Sequence, residues 1–204
     1  LAAGAGAARP GLPPFRGSIA PLTAAERAAM TPSVWRPGCP VGLGDLRAVR
    51  ALHVGFDGAA HEGVLVVAAG AAPRALAVLR RLYALRFPIR RMQPIERYGG
   101  DDFRSIEADN TSAFNCRRVE GTARWSLHAS GTAIDLNPIE NPYITAAGTT
   151  SHPASRPYLD RARARPGLVR AGDAVVRAFA AQGFAWGGAW RGARDTQHFS
   201  LGGR

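Results

Sequence analysis

The most informative stretch of this sequence is Ser126-Leu-His-Ala-Ser-Gly-Thr-Ala-Ile-Asp-Leu-Asn137. Its second half alternates between apolar and polar residues, so Asp135 is expected on one face of a strand and its apolar neighbours on the other. Gly131 permits a turn before that strand, and the turn can bring His128 to the same side as Asp135. The stretch therefore predicts an imidazole and a carboxylate on the open face of a strand whose back lies in the core.

A second segment, Asp195-Thr-Gln-His-Phe-Ser-Leu201, alternates in the same way. Phe199 is expected to anchor a strand while His198 points away from the core, and Asp195 lies three residues earlier. Two imidazoles and a carboxylate suit catalytic zinc, because three protein ligands leave a fourth position for water. The metal would lower the pKa of that water to about 7, and Asp195 could take its proton and pass it to the leaving amine.

Together the two segments resemble the zinc D-Ala-D-Ala carboxypeptidase family, which includes vancomycin-resistance D,D-peptidases and phage L-alanyl-D-glutamate endolysins. Every fixed position of the pattern Ser-x-His-x-x-Gly-x-Ala-x-Asp is met, and residues 195–199 meet the pattern Asp-x-x-His-Phe. Some relatives carry Glu at the position of Asp195, whereas Asp occurs in the endolysin branch. The resemblance covers about residues 85–201 and implies the hedgehog/D,D-peptidase fold.

The resemblance also implies a role for each matching residue. His128, Asp135 and His198 would hold one zinc ion per chain, and Asp195 would be the general base. The implied reaction is hydrolysis of a peptide bond in a peptidoglycan stem peptide. A D-Ala-D-Ala carboxypeptidase and an L-Ala-D-Glu type endopeptidase both fit, and the sequence does not choose between them.

Five further residues receive roles from the resemblance. The segment ending at Arg117 resembles the one that supplies the family's active-site arginine, so Arg117 would stabilise the oxyanion or hold a substrate carbonyl. The adjacent Arg118 is a weaker candidate for the same task. Ser126 would hydrogen-bond the substrate or the ligand shell. Trp186 and Trp190 would wall the substrate groove, although core packing explains either tryptophan equally well.

Three other classes of function are less consistent with these residues. A non-catalytic zinc-containing wall-binding module is the main alternative, and the presence of the base Asp195 argues against it. A cysteine peptidase would need an activated thiolate, and nothing in the sequence marks Cys116 as one. A nucleic-acid binder is disfavoured because the chain has no helix-turn-helix, zinc finger or aromatic-interleaved basic motif.

Composition bears on the surroundings of the protein. The 204 residues carry a formal net charge of +11, and all 26 basic residues are arginine. Such a charge favours a polyanionic cell-wall surface, and no apolar run approaches the roughly 20 residues of a membrane span. The two cysteines, Cys39 and Cys116, predict one disulfide, which suits an oxidising compartment. We therefore expect a secreted, cell-wall-associated monomer.

Residue patterns predict an α+β fold with a small, mainly antiparallel sheet flanked by helices. Residues 1–22 are expected to be a flexible linker left after export or processing, and residues 23–204 the peptidase domain. Three helices are expected. The first follows a capping box at Thr23 to Glu26, the second runs from Pro73 to Arg86, and the third runs from Leu168 to Gln182. The expected strands are 46–56 and 63–68 as a hairpin, and 133–137. Residues 89–95 could form a further strand, and residues 184–190 and 198–201 are expected to close the domain as strands or turns. Residues 98–115 and 138–166 are expected to be surface loops.

Overall fold

A computed structural model describes residues 11–203 as an α+β protein with several small sheets, which confirms the predicted class. Among these residues the longest helix has 13 residues, so none is long enough to cross a bilayer. The helices are α1 (Ala24–Met30), α2 (Ala72–Ala84), α3 (Asp102–Glu107) and α4 (Ala174–Ala180). The strands are β1 (Gly17–Pro21), β2 (Leu46–Val54), β3 (Ala60–Ala68), β4 (Arg91–Met92), β5 (Asn110–Thr111), β6 (Ala133–Asp135), β7 (Tyr143–Ile144), β8 (Phe184–Trp186), β9 (Arg194–Asp195) and β10 (His198–Leu201).

The larger sheet is antiparallel, with strand order β1-β2-β3. The predicted hairpin is confirmed, and its turn contains Gly58 with a φ of +78°. Strand β1 lies within the segment that was expected to be a linker, so the sheet begins before the predicted boundary at residue 22. The reason is backbone pairing, since Gly17 to Pro21 add an edge strand to β2. Residues 1–10 of the predicted linker lie outside the described residues.

The smaller sheet, with strand order β6-β10-β8, carries the candidate site. Its apolar face contributes Ile134 and Phe199 to the main core, together with the buried side of α2. Phe179 of α4 stacks on Phe199 with ring centroids 3.7 Å apart. Because successive side chains of a strand point to opposite faces, His198 lies on the face away from this core.

The helix predicted from Leu168 begins later than expected. Asp173 is its N-cap, and the Asp173 carboxylate accepts the backbone N–H groups of Val175 and Val176. Leu168 and Val169 are buried without being helical. The segment whose apolar spacing predicted the helix therefore begins with a buried loop. Sequence periodicity does not distinguish such a loop from the first turn of a helix.

The two predicted loops and the strand predicted at 89–95 are also corrected. Residues 98–115 contain α3 and β5, residues 138–166 contain β7 and a 3-10 turn, and the strand shortens to β4. Many polar side chains of these segments are buried because they satisfy backbone groups. Asn141 is the clearest case: its amide donates to the carbonyls of Leu136 and Gly167, and its Oδ1 accepts the N–H of Val169 at 2.7 Å.

The predicted disulfide is present between Cys39 and Cys116, with Cα atoms 5.9 Å apart. Both cysteines pack in a second core formed by α1, β2 and their neighbours, where Cys116 is buried. The Cys116 N–H donates to the carbonyl of Val34 at 3.0 Å. The bridge thus ties the irregular segment after α1 to the residue that precedes Arg117.

Candidate metal centre

His128 is held by a short 3-10 turn, Leu127–Ser130. Ser126 is the N-cap of this turn, and its Oγ accepts the His128 N–H at 3.3 Å, so Ser126 supports the site through the backbone. Gly131 ends the turn with a φ of +66°, where a Cβ would lie 2.5 Å from the Ala68 nitrogen. His128 Nδ1 lies 2.5 Å from the carbonyl oxygen of Ala113. A proton on Nδ1 would be donated to that carbonyl, which leaves Nε2 as the atom with a free lone pair.

The other two members of the site come from neighbouring strands. Asp135 of β6 and His198 of β10 are direct partners in the antiparallel ladder. Oδ1 of Asp135 lies 3.1 Å from Nδ1 of His198, and Oδ2 of Asp135 lies 3.1 Å from Nε2 of His128. The two imidazoles approach each other at 3.2 Å between His128 Nε2 and His198 Nδ1. The structure therefore brings the three predicted ligands together.

The donor set of this cluster fits a metal ion. The candidate ligand atoms of His128, Asp135 and His198 all lie within 4.8 Å of one another. Zinc bonds of about 2.0–2.2 Å in a tetrahedron require ligand atoms about 3.3 Å apart, close to the distances found here. With Nδ1 of His128 directed at a carbonyl, the lone pair of its Nε2 points toward the same small region as a carboxylate. A cation at this point would relieve that repulsion, because neutral imidazoles and carboxylates are acceptors.

The clustered side chains shift the pKa values of His128 and Asp135. Burial acts against charge on His128, but attraction and hydrogen bonding by Asp135 outweigh burial and raise the pKa of His128. Burial likewise acts to raise the pKa of Asp135, yet His128 and then His198 hold that pKa well below its usual range. Asp135 is thus kept as an ionised carboxylate in a largely buried position, and the ionised form is the one that a metal ligand requires.

Asp195 lies on β9, close to the cluster. Its Oδ1 is buried and has no hydrogen-bond partner within residues 11–203. Burial, and then the charge of Asp135, raise the pKa of Asp195 to about 6. The close fit depends on Gly187, where a Cβ would lie 2.6 Å from the Asp195 carbonyl oxygen and 3.3 Å from the His198 Cβ. The sequence had not singled out Gly187, which directly follows Trp186.

The two arginines of the predicted active-site segment differ in their surroundings. Arg117 NH2 forms an ion pair with Asp102 Oδ2, and the buried Nε of Arg117 has no acceptor in the described part of the chain. Arg118 instead lies over the Trp125 ring at 3.7 Å and donates to the carbonyl of Ala123. These contacts give Arg118 a packing role on Trp125, whereas Arg117 is held by its ion pair with Asp102.

The two tryptophans that were candidates for the substrate groove also differ in their surroundings. The Trp186 Nε1–H donates to the Thr196 carbonyl at 2.9 Å, and the Trp186 ring stacks on Phe199, so its contacts are those of a core residue. The ring centroid of Trp190 lies 5.5 Å from that of His198. Trp190 is therefore the tryptophan that borders the His128–Asp135–His198 cluster.

Two exposed aromatic residues were not identified from the sequence. Tyr143 of β7 is 46% exposed and is the direct ladder partner of Asp195, so both side chains project to the same side of the β7–β9 pair. Phe103, 54% exposed, follows Asp102 on α3 and packs at 4.5 Å against the His152 ring. Both stand in segments that were interpreted as polar loops. The available signal was a large apolar residue within each polar stretch.

Comparison with known proteins supports the same part of the chain. A family model described as D-alanyl-D-alanine carboxypeptidase matches residues 120–201. This range includes the three clustered ligands and Asp195, whereas Arg117 and both cysteines lie before it. The match supports a peptidase of this kind at a coarse level, and the His–Asp–His group could bind the metal of a metallopeptidase. No curated protein and no solved structure matches the chain.

Proposed function

We propose that this protein is a zinc metallopeptidase that hydrolyses peptide bonds of peptidoglycan stem peptides. The observation that carries the proposal is the convergence of His128 Nε2, Asp135 and His198 Nδ1, with separations of 3.1–3.2 Å. The family match over residues 120–201 supports the substrate class. The hedgehog/D,D-peptidase fold implied by the motifs is part of the same proposal.

In this proposal His128, Asp135 and His198 hold one zinc ion. When bound, zinc would supply a Lewis acid that polarises the peptide carbonyl and lowers the pKa of water. The surrounding protein orients the ligands: the Ala113 carbonyl holds the Nδ1 side of His128, and Ser126 holds the backbone of the same residue. Such contacts to the far side of a ligand determine the tautomer and the orientation of the ring.

Asp195 is proposed as the general base and subsequent acid. It has a buried oxygen with no partner in the described structure, and burial together with Asp135 raises its pKa to about 6. A carboxyl group with such a pKa can accept a proton from water and return it to the leaving amine near neutral pH. Tyr143, beside Asp195, and Trp190, beside His198, are the side chains proposed to contact the peptide on either side.

Arg117 is proposed to stabilise the negative charge that develops on the peptide carbonyl oxygen. Its side chain is 36% exposed while its NH2 is held by Asp102, so the guanidinium combines a defined position with access to a ligand. A charge-assisted hydrogen bond to the oxyanion acts mainly in the transition state, and loss of one such donor commonly lowers turnover about 10²- to 10³-fold. The adjacent Arg118, which packs on Trp125, provides a natural control.

We place the enzyme outside the cytoplasm, at the cell wall. The Cys39–Cys116 disulfide supports this location, because structural disulfides persist in oxidising compartments. The net charge of +11 favours an anionic wall surface.

Purified muropeptides of known structure test the proposal and identify the scissile bond. The zinc-loaded protein is incubated with pentapeptide and tetrapeptide muropeptides, and the products are analysed by mass spectrometry. Loss of the terminal D-Ala from pentapeptides alone indicates a carboxypeptidase, whereas release of the stem peptide after L-Ala indicates an endopeptidase. Asp195→Asn is the control that should retain zinc without forming product. A protein that binds zinc and muropeptides but cleaves neither substrate would instead be a wall-binding module.

A further inference from the structure

The guanidinium of Arg117 makes its ion pair with a residue that the sequence did not single out, Asp102 at the start of α3. About a third of each side chain is exposed (36% for Arg117 and 35% for Asp102). Ion pairs with this much contact with water contribute little to the free energy of unfolding. Stabilisation of the fold therefore does not account for the presence of this ion pair.

Asp102 is itself held in place from a second direction. Its Oδ1 accepts the Asn115 amide at 3.1 Å, and the same amide donates to the Gly100 carbonyl at 3.3 Å. The two oxygens of Asp102 thus bind residues 115 and 117, which are alternate positions of one extended segment. This arrangement fixes the carboxylate, so the guanidinium that it binds has a defined position.

The same segment is joined directly to the residue that carries the first ligand. The Asn115 N–H donates to the His128 carbonyl at 3.3 Å, and the Arg117 carbonyl accepts the Ser126 N–H at 3.1 Å. Ser126 in turn caps the turn that contains His128. Asp102, Arg117 and His128 are therefore linked through one short series of hydrogen bonds.

From these contacts we propose that Asp102 is a positioning residue for Arg117. It holds NH2 of the guanidinium, so that the group faces the substrate in one defined orientation rather than rotating freely. The inference rests on the proposed function, because it assigns Arg117 a substrate oxygen as its ligand. Asp102 does not touch the substrate in this arrangement, and its effect is exerted entirely through Arg117.

The chain offers a matched control at the preceding position. Asp101 is the N-cap of α3, and its Oδ1 accepts the Arg104 N–H at 3.1 Å. Asparagine caps a helix about as well as aspartate, so Asp101→Asn removes one negative charge from α3 with little change in structure. Asp102→Asn removes the same charge from the partner of Arg117.

Steady-state kinetics on muropeptides measure the effect. We expect Asp102→Asn to lower kcat about tenfold or more with unchanged zinc content and little change in melting temperature, since small misplacements of a catalytic group cost up to about 10²-fold. Asp101→Asn should behave as the wild type. In an Arg117→Ala background, Asp102→Asn should have no further effect. Equal effects of the two aspartate variants, or an undiminished effect without Arg117, would overturn the proposal.

A second measurement does not depend on activity. The Arg117 Nε–H signal in the ¹H–¹⁵N spectrum of the metal-free protein is assigned by its disappearance in Arg117→Lys. We expect its exchange with water to accelerate in Asp102→Asn and to stay unchanged in Asp101→Asn. Unchanged exchange in both variants would refute the positioning role even if the wild type cleaved no muropeptide. If the wild type cleaves and Asp102→Asn cleaves equally well, this inference fails while the proposed function stands.

Discussion

Asp135 and His198 are direct partners across the β6–β10 ladder, and Asp135 Oδ1 lies 3.1 Å from His198 Nδ1. The two residues are 63 positions apart in the chain, and His128 is 70 positions from His198. Folding thus brings together ligands that are dispersed in the unfolded chain. A metal ion bound by all three residues would therefore add to the stability of the fold.

Metal removal should therefore destabilise the protein as well as inactivate it. A ligand that binds only the native state stabilises it by about 2.7 kcal/mol at a free concentration 100 times its dissociation constant. We expect a strong chelator to lower the melting temperature and to abolish cleavage, with both restored by added zinc. His198→Ala should bind no stoichiometric zinc and should show no response to chelator. A melting temperature that ignores confirmed metal loss would contradict the proposed site.

Replacement of Asp195 should separate catalysis from metal binding. We expect Asp195→Asn to retain one zinc per chain and to lose turnover by about 10²- to 10⁴-fold, the usual contribution of a general base. Elemental analysis and kinetics on the same preparation make the comparison. If Asp195→Asn lost zinc as readily as His198→Ala, Asp195 would be a ligand and the assignment of roles would be wrong.

Tyr143 should affect substrate binding more than metal binding. It is exposed and projects beside Asp195, so Tyr143→Ala is expected to raise KM several-fold with unchanged zinc content. Tyr143→Phe separates ring contact from hydroxyl contact. Ile19→Ala is the control, because Ile19 is an exposed apolar residue on β1, away from this ladder. Wild-type kinetics for Tyr143→Ala would show that the substrate does not reach this ring.

The disulfide should contribute measurably to stability. Its cysteines are 77 positions apart, and closure of such a loop is worth about 4 kcal/mol in the chain-entropy model. We expect the unreduced, denatured protein to show no free thiol, and the Cys39→Ser/Cys116→Ser double variant to unfold at lower denaturant concentration. Titration of two free thiols in the oxidised protein would exclude the bridge.

Glu140 should make stability depend on pH. Burial, and then hydrogen bonding and repulsion from Asp109, raise the pKa of Glu140 from 4.5 to about 8, so the folded state holds a proton that the unfolded chain releases. Its contribution is fully present below pH 4.5 and is lost as pH rises through about 8. Glu140→Gln should flatten the fall in stability across this range. Glu62→Gln, at an exposed carboxylate, should leave the slope as in the wild type.

Much of the candidate site could be predicted because its signals are local. The alternation of residues 133–137 and 198–201 determines which side chains face the core, and the structure confirms it with Ile134 and Phe199 buried in one cluster. The capping box at Thr23 and the hairpin turn at Gly58 are equally local, and both are present. Each of these features depends on residues within a few positions of one another.

Polar segments were predicted less well, because their conformation is stabilised by hydrogen bonds to residues that are distant in the sequence. Residues 98–115 and 138–166 have the composition of loops, but their buried amides and carboxylates bind backbone groups far along the chain. Asn141, for example, accepts the N–H of Val169, 28 positions away. The residues near Asn141 in the sequence do not predict that contact. A polar residue gives the same local sequence pattern whether it is exposed to water or buried and fully hydrogen-bonded.

The sequence by itself therefore determined which residues are candidate ligands, their alternation with core residues and the class of fold. Only the tertiary structure distinguished the two arginines, because the ion pair of Arg117 with Asp102 and the stacking of Arg118 on Trp125 arise from chain segments that meet on folding. It also decided that Tyr143 stands beside Asp195, through the pairing of β7 with β9. Alternation is set by the geometry of one strand, whereas these contacts are set by which distant segments pack together.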